Sequence, residues 1–290
     1  MNAAEFIYSV LLKPRPLRSA ANFALRASLP EKVVRHGATI VLNPADPVVS
    51  GALRFGMYEK AETAFFLSYC RPGMTFLDIG ANYGYYTALF LTRSGPGSRV
   101  IALEPDWQNF EFLQRTVAAN KGQNVTCLQL AASDKAGKAT LYRNLENRGD
   151  HRLYSNDLAS STCEVETNTV DSILRMLAVD GIDLIKMDVQ GFEGRVLEGM
   201  KNTLAAATRL TLMTEFWPFG LRQSGADPAR FLRTLEETGF TLFEIAGRGR
   251  LRPVGSHCRL IEMHQGRRYT NLIAAKGEDA LRSGGGACRS

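Results

Sequence analysis

Residues 76–87, FLDIGANYGYYT, decide the fold of this protein. An apolar run ends at Asp78, a turn with glycines at Gly80 and Gly84 follows, and a helical pattern begins immediately afterwards. Glycine tolerates positive φ angles, and its missing Cβ lets a ligand approach the backbone. A carboxylate before such a turn repels phosphate groups and favours a cationic ligand. We therefore expect Asp78, Gly80, Asn82 and Gly84 to line a binding site for a ligand that carries a positive charge.

From residue 74 onwards, strand patterns alternate with helical patterns, which predicts a mostly parallel α/β sheet covered by helices on both faces. Seven strands are predicted, over residues 75–79, 99–103, 124–130, 183–187, 210–215, 240–245 and 271–275. The helices predicted between them cover residues 85–92, 106–120, 193–204 and 228–239. Residues 136–168 are polar and irregular, so we expect an inserted hairpin and loop there, and a further hairpin over residues 248–268.

The domain organisation follows from where this alternation begins and ends. We expect an N-terminal helical and hairpin extension over residues 1–72, one sheet domain over residues 73–280, and a disordered tail over residues 281–290. Within the extension, the patterns predict an amphipathic helix, a hairpin, a proline-bearing loop and a second helix, over residues 3–12, 31–43, 43–49 and 59–69.

Composition excludes several classes of protein. The net charge of +6 is modest, and no basic run is interleaved with stacking aromatic residues, so we expect no nucleic-acid partner. No stretch approaches the roughly 18 apolar residues that predict a membrane span, and we expect no transmembrane segment. The five cysteines are scattered without metal-ligand spacing, which is typical of free thiols in a reducing compartment. Together with the lack of an apolar signal core, this predicts a cytoplasmic protein.

Polar residues also end the second and third predicted strands. Glu104 lies 24 residues beyond Gly80, and an acid at this place accepts hydrogen bonds from the ribose hydroxyls of an adenosine ligand. Its alternative role is to cap the helix that begins near Asp106. Ser133 and Asp134 follow the third strand, where Asp134 either accepts a hydrogen bond from an adenine amino group or simply begins a turn.

The sequence resembles the FkbM family of S-adenosylmethionine-dependent methyltransferases over roughly residues 40–275. The matching pieces are Asn43-Pro44 with Asp46, Tyr58-Glu59, the loop 78–87, Glu104-Pro105, 131–134, 169–171, 182–193 and Thr214-Glu215. The run IDLIKMDVQGFE at residues 182–193 is the most distinctive of them. One departure is Gln190, where the family commonly has glutamate.

This resemblance implies a Rossmann-like, seven-stranded class I methyltransferase sheet with S-adenosyl-L-methionine as the methyl donor. Asp78, Gly80, Asn82, Gly84, Glu104, Ser133 and Asp134 are then the predicted cofactor-binding residues. The acceptor is expected to be a small molecule or glycan with a hydroxyl group. A nicotinamide dehydrogenase fits less well, because the Gly-x-Asn-x-Gly spacing differs from GxGxxG. A binding module that keeps the fold without catalysis is the alternative.

Methylation of a hydroxyl requires a base, and Asp188 ends the strand expected beside the glycine loop. We predict that Asp188 is the catalytic base or orients the acceptor. Its alternative role is to cap the helix that starts near Phe192, and Lys186 is its expected ion-pair partner.

The predicted acceptor-binding residues are Glu193, Glu215 and His151. Glu193 has the alternative role of stabilising a helix N-terminus, and His151 that of an ordinary loop residue. Asp188, Glu193 and Glu215 have the oxygen ligands that Mg²⁺ prefers. Spacing alone does not show that these carboxylates converge, so we expect no metal and keep a divalent cation as the alternative.

Overall fold

An eight-stranded mixed sheet forms the centre of the computed structural model, which describes residues 28–277. The helix predicted over residues 3–12 and the tail over residues 281–290 lie outside the described residues. In chain order the strands are β1 (Lys32–Arg35), β2 (Ala38–Val41), β3 (Thr75–Ile79), β4 (Arg99–Leu103), β5 (Val125–Leu128), β6 (Ala131–Ala132), β7 (Gly137–Arg143), β8 (Ser161–Asn168), β9 (Leu184–Met187), β10 (Leu210–Phe216), β11 (Thr241–Ala246), β12 (Arg250–Pro253) and β13 (Thr270–Lys276).

The helices are α1 (Pro47–Arg54), α2 (Lys60–Tyr69), α3 (Tyr85–Leu91), α4 (Trp107–Ala119), α5 (Val170–Met176), α6 (Glu193–Glu198), α7 (Lys201–Ala206), α8 (Pro218–Gln223), α9 (Pro228–Glu237) and α10 (His257–Met263). No helix within residues 28–277 is long and apolar enough to cross a membrane.

The strand order in the central sheet is β12-β11-β13-β10-β9-β3-β4-β5. Strands β5, β4, β3, β9 and β10 are parallel, whereas β13, β11 and β12 run antiparallel to their neighbours. The predicted α/β fold class is confirmed, and all seven predicted strands form. The eighth strand, β12, extends the edge of the sheet as a hairpin partner of β11.

Alternate residues of the central strands pack into two separate cores, as the period of a β-strand requires. Leu77 and Ile185 belong to the core on one face, with α9 and the buried side of α6. Phe76 and Leu184 belong to the core on the other face, together with β2, α2 and α3. Residues 38–70 therefore contribute side chains to the same core as the main sheet.

The order of the strands reverses between β3 and β9. The chain runs outward from β3 through β4 to β5, and it then returns to β9 on the other side of β3. Ile79 at the end of β3 pairs in register with Met187 at the end of β9. In open parallel sheets, ligands bind outside the strand ends at such a point. The topology thus places the glycine loop and Asp188 together.

The inserted segment forms its own three-stranded sheet, with β8 between β6 and β7, as the predicted hairpin over residues 136–168 requires. The loop between β7 and β8 returns to the glycine loop, where Asn82 Nδ2 donates to the carbonyl oxygen of Arg148 at 3.4 Å. Asn109 Nδ2 donates to the same oxygen at 3.1 Å. The insertion therefore covers the carboxyl ends of β3 and β4.

Three local predictions were wrong or incomplete. Residues 43–49 were predicted as a loop, but α1 begins at Pro47, because proline suits the first helical position and Asp46 accepts from the backbone N–H groups of Val48 and Val49. The single helix predicted over residues 193–204 is divided into α6 and α7 near Gly199. The hairpin predicted over residues 248–268 is β12 followed by the helix α10.

Asp46 connects three separate parts of the chain. Its carboxylate caps α1, and its Oδ2 accepts from the hydroxyl of Tyr83 at 2.9 Å and from the backbone N–H of Arg148 at 3.2 Å. The residue is fully buried, and this burial raises the pKa of its carboxyl group. The extension, the glycine loop and the insertion are therefore held together by one side chain.

We expect Asp46→Ala to lower the free energy of unfolding by about 2–4 kcal/mol, because it removes a helix cap and leaves a buried tyrosine hydroxyl without its acceptor. Denaturant titration measures this loss. Tyr83→Phe is the matched control, since it removes only the hydroxyl and should cost about 1 kcal/mol. An Asp46→Ala midpoint equal to that of the wild type would contradict the connecting role.

Candidate functional site

The glycine loop between β3 and α3 has positive φ angles at Gly80, Asn82 and Gly84. A Cβ at Gly80 would overlap the carbonyl oxygen of Asp188, and one at Gly84 would lie 2.7 Å from Leu113 Cδ1. The positive φ angles expected for these glycines are present, whereas the close approach of a ligand stays a prediction. Both glycines allow the loop to pack against the protein, and Gly80 brings the backbones at the ends of β3 and β9 into contact.

Glu104, at the end of β4, holds the glycine loop from the other side. Its Oε2 accepts from the backbone N–H of Asn82 at 2.8 Å, and its Oε1 accepts from that of Asp106 at 2.9 Å. Burial, together with the nearby Asp106 carboxylate, raises the pKa of Glu104 to about 8. Each carboxylate oxygen has a second lone pair, so Glu104 is able to accept two further hydrogen bonds from a ligand.

A pocket, here called the Glu104 pocket, opens over the ends of β3, β4 and β9. Its lining includes Gly80, Asn82, Glu104, Pro105, Asn109, Ala131, Ala132, Arg148, His151, Asp188 and Gln190. Three polar atoms of this lining are buried without a hydrogen-bond partner in the described residues: Asn82 Oδ1, Asn109 Oδ1 and His151 Nε2. Buried polar atoms normally have partners. The unpaired atoms and the free lone pairs of Glu104 fit a polar ligand such as a nucleoside.

His151 lines the Glu104 pocket and does not line the larger cleft that also contains Asp188, and its predicted contact with the acceptor stays a prediction. Burial lowers the pKa of His151 to about 4, against the opposing effect of Asp106. Its Nδ1 accepts from the backbone N–H of Asn144 at 3.1 Å, so the neutral ring carries its proton on Nε2. His151 is thus a hydrogen-bond donor within the pocket and is not a base near neutral pH.

Asp78, at the end of β3, lines a second, smaller pocket with Gly80, Lys186 and Asp188. Its Oδ2 accepts from the hydroxyl of Thr87 at 2.6 Å. Burial raises the pKa of Asp78 to about 6, although the Thr87 hydrogen bond and Lys186 oppose that effect. This pocket continues from the Glu104 pocket around the glycine loop, because Gly80 and Asp188 line both.

Ser133 and Asp134 do not line the Glu104 pocket, whereas Ala131 and Ala132 do. The hydroxyl of Ser133 donates to Asp134 Oδ1 at 3.0 Å, and Asp134 Oδ2 lies 3.3 Å from Arg195 Nη1. The predicted contact of Asp134 with adenine stays a prediction, and it competes with this ion pair.

Asp188 lies directly after β9, between two donors. Lys186 Nζ lies 3.2 Å from Asp188 Oδ2, which confirms the expected ion pair, and Gln190 Nε2 donates to Asp188 Oδ1 at 2.7 Å. Lys186 is almost fully buried; burial alone would lower the pKa of its ammonium group, but the carboxylates of Asp188, Glu59 and Glu215 raise it. Lys186 is therefore charged, and it fixes the orientation of Asp188.

The structure brings Glu193 and Glu215 to Asp188, a convergence that the sequence did not show. Glu193 Oε1 accepts from the backbone N–H groups of Val189 and Gly191, at 3.1 and 3.3 Å. This contact fits its alternative role at the N-terminus of α6. Burial raises the pKa of Glu193 to about 7 and that of Glu215 well above its ordinary value.

A large cleft of about 780 Å³ lies on the other side of Asp188, and we call it the aromatic cleft. Its aromatic lining residues are Tyr58, Tyr154, Trp217, Phe219 and Tyr269, and its polar ones include Glu59, Asp150, Arg152, Glu215 and Asn271. Asp188 and Gln190 line both this cleft and the Glu104 pocket. The two spaces therefore meet at Asp188.

Sequence analysis missed several residues of the two spaces. Asn109 lies in the first turn of α4, just beyond Glu104. Its position shortly after the acid that ends β4 could have predicted that it lies near the site. Arg148, Tyr154 and Trp217 line the two spaces from irregular segments between strands and helices. No sequence pattern indicated that these segments meet at Asp188.

Comparison with known proteins identifies the family. The model of the methyltransferase FkbM domain family matches residues 78–242. Methyltransferase sdnD of Sordaria araneosa is 25% identical over 243 residues, which cover 70% of this chain and 91% of sdnD. Among solved structures, the O-methyltransferase from Bacillus cereus in complex with SAH is 12% identical, with a TM-score of 0.43 and coverage of 93% of this chain and 94% of that one. The SAM-dependent methyltransferase from Aquifex aeolicus is 17% identical, with a TM-score of 0.39 and coverage of 74% and 88%.

The Rossmann-like fold and the match over more than half of the chain define the class as methyltransferase. The chain belongs to the FkbM family, and it is an S-adenosylmethionine-dependent methyltransferase.

Gly80→Ala should destabilise the protein far more than Gly73→Ala, a change at the other end of β3. Both glycines have positive φ, but nothing lies within 4 Å of a Cβ at Gly73, whereas a Cβ at Gly80 overlaps Asp188. We expect a loss of about 1–2 kcal/mol for Gly73→Ala and about 3–5 kcal/mol for Gly80→Ala. Denaturant titration compares the two, and equal losses would show that β3 and β9 do not depend on this contact.

Proposed function

We propose that this protein is an O-methyltransferase that acts on a hydroxyl group of a sugar, glycan or secondary-metabolite acceptor. One observation carries the proposal: Asp188 lies where the Glu104 pocket meets the aromatic cleft. A carboxylate at this junction faces both the polar Glu104 pocket and the larger aromatic cleft. Methyl transfer to a hydroxyl oxygen requires a base that removes the hydroxyl proton, and a carboxylate can be that base.

S-adenosylmethionine supplies an electrophilic methyl group when it is bound. We propose that Glu104 accepts hydrogen bonds from the ribose hydroxyls, and that Asn82 and His151 contribute their unpaired polar atoms. Asp78 and the backbone of Gly80 and Gly84 would hold the cationic amino-acid end of the cofactor. Of these residues, Asp78 and Gly80 line the smaller pocket beside Lys186. Ser133 and Asp134 are proposed to approach the adenine from the end of β6.

The acceptor would enter through the aromatic cleft. Flat aromatic side chains pack against the C–H faces of sugar or polyketide rings, and carboxylates accept hydrogen bonds from hydroxyls. Tyr58, Trp217 and Tyr269 supply such surfaces, and Glu215 supplies a carboxylate. The acceptor hydroxyl would give its proton to Asp188, and its oxygen would then receive the methyl group. Lys186 holds Asp188 in place during this transfer.

Incubation with labelled S-adenosylmethionine and a panel of sugar, nucleotide-sugar and lipid-linked acceptors tests the proposed function. The proposal is supported if the label is found in a methyl ether at a former hydroxyl group, a linkage that resists mild acid and base. Label found only on nitrogen or carbon positions of the products would contradict it.

Glu104→Gln should weaken the binding of S-adenosylmethionine by roughly tenfold or more, because a charged hydrogen bond contributes ~1.5–3 kcal/mol. Since the pKa of Glu104 is about 8, the carboxylate is protonated below this pH and loses acceptor capacity. Wild-type affinity should therefore fall as the pH drops below 8, by at most about tenfold per unit.

Isothermal titration between pH 6.5 and 9 measures both effects, and the ligand's own amino group titrates equally in wild type and variant. The difference between the two pH profiles is therefore due to Glu104. Identical profiles and affinities would reject the ribose contact.

Asp188→Asn should lower turnover by about 10²–10⁴-fold, because asparagine keeps the shape of the side chain but cannot accept the proton. Affinity for S-adenosylmethionine should change little. If Asp188 only caps the following helix, asparagine caps nearly as well and turnover survives. Steady-state rates at saturating cofactor decide between these roles, and a rate within about threefold of wild type rejects Asp188 as the base.

A further inference from the structure

Three carboxylates converge beside the aromatic cleft, and two of them, Asp188 and Glu215, line it. One oxygen each from Asp188, Glu193 and Glu215 lies within 4.8 Å of the other two. They come from three separate elements, since Asp188 follows β9, Glu193 begins α6, and Glu215 lies near the end of β10. We call these three residues the acidic cluster.

Two oxygens of the acidic cluster are buried without any hydrogen-bond donor in the described residues. They are Glu193 Oε2 and Glu215 Oε2. Glu193 is 0% exposed and Glu215 is 6% exposed, so both side chains are shielded from bulk solvent. Because a buried carboxylate oxygen without a partner is costly, each of these atoms indicates a ligand.

The positive charges near the acidic cluster do not balance it. Lys186 Nζ lies 3.2 Å from Asp188 Oδ2. The same ammonium group also faces Glu59, a further carboxylate outside the acidic cluster. Arg152 faces Glu215, but its guanidinium already binds the carboxylate of Asp150, at 2.6 and 2.9 Å. One lysine is thus shared among four carboxylates, of which Glu193 and Glu215 are buried, and excess negative charge around buried carboxylates requires a cation or protons.

We propose that the acidic cluster is a binding site for a divalent cation that prefers oxygen ligands. Two ligands of one Ca²⁺ lie at most about 4.6–5.2 Å apart, and two ligands of one Mg²⁺ at most about 4.0–4.2 Å, from the usual metal–oxygen distances. The separations in the cluster fall within the range for Ca²⁺. Mg²⁺ or Mn²⁺ would need the side chains to move closer together.

The position of the cation gives it a role in acceptor binding. Three carboxylates do not complete the six to eight oxygen ligands of Ca²⁺ or the six of Mg²⁺. Glu215 and Asp188 line the aromatic cleft, so the remaining positions face the cleft and accept oxygens of water or of the acceptor. This role rests on the proposed function, whereas the cation site itself does not.

The test uses the full chain, treated with EDTA and titrated with Mn²⁺, with electron paramagnetic resonance measuring free and bound ion. We expect one strong Mn²⁺ site per chain, from which Ca²⁺ displaces the ion. Glu193→Gln and Glu215→Gln should each weaken binding by roughly 10- to 100-fold. Glu164→Gln is the matched control, because Glu164 is an exposed carboxylate on β8 whose partner is Lys138, and it should bind Mn²⁺ as the wild type does.

Two further measurements keep the test decisive if a glutamine variant folds poorly. Saturating Ca²⁺ should raise the thermal midpoint of the wild type by roughly 5–10 °C at a hundredfold excess over the dissociation constant. Gln190→Glu should strengthen Mn²⁺ binding, because it places a fourth carboxylate where an amide now donates to Asp188. The site is overturned if millimolar Mn²⁺ does not bind and Ca²⁺ does not raise the thermal midpoint, or if wild type and Glu215→Gln bind the ions equally.

The acceptor assay separates this inference from the proposed function. If the chain does not bind Mn²⁺ and still methylates a hydroxyl in the presence of EDTA, the cation site is overturned. The proposed O-methyltransferase activity is then supported. Mn²⁺ binding that depends on Glu193 and Glu215 supports the site even where no hydroxyl acceptor is methylated.

Discussion

The site depends on the contact between Gly80 and the backbone of Asp188. Because Gly80 has no Cβ, the carbonyl oxygen of Asp188 occupies the space that a side chain would fill. The ends of β3 and β9 are thereby fixed against each other at the point where the strand order reverses. The glycine loop, with its neighbour Glu104, then lies on one side of Asp188 and the aromatic cleft on the other. The absence of a single methyl group thus sets the geometry between the Glu104 pocket and the aromatic cleft.

Burial of acids is the second constraint, and it determines how the site behaves. The pKa of Glu104 rises to about 8 and those of Glu59 and Glu193 to about 7, chiefly because burial disfavours the charged form. Such groups are costly to the fold and are found where ligands compensate them. Glu104 has backbone donors but spare lone pairs, whereas Glu215 Oε2 has no donor within residues 28–277. The first arrangement suits hydroxyl donors, and the second suits a cation.

The sequence predicted the sheet better than the site, for physical reasons. Strands such as Thr75–Ile79 and Arg99–Leu103 were predicted with their observed bounds, because a continuous apolar run between turn residues has few alternatives. The ion pair of Lys186 with Asp188 followed from the period of a strand. The position of His151 and the convergence of Glu193 with Glu215 depend on how long connections fold back, and spacing along the chain does not encode that. Pro47 was misleading because proline both breaks helices and begins them.

Gln190 shows how one amide changes the balance of such a site. Its backbone has a positive φ, its side chain donates to Asp188 Oδ1, and its carbonyl oxygen accepts from Tyr154 at 2.7 Å. A glutamate in this place would be an acceptor facing an acceptor, beside a cluster that already holds excess negative charge. The amide removes that repulsion and uses one lone pair of Asp188 without neutralising its charge. Asp188 is therefore held in a fixed orientation by Lys186 and Gln190, and its carboxylate oxygens still have lone pairs for further contacts.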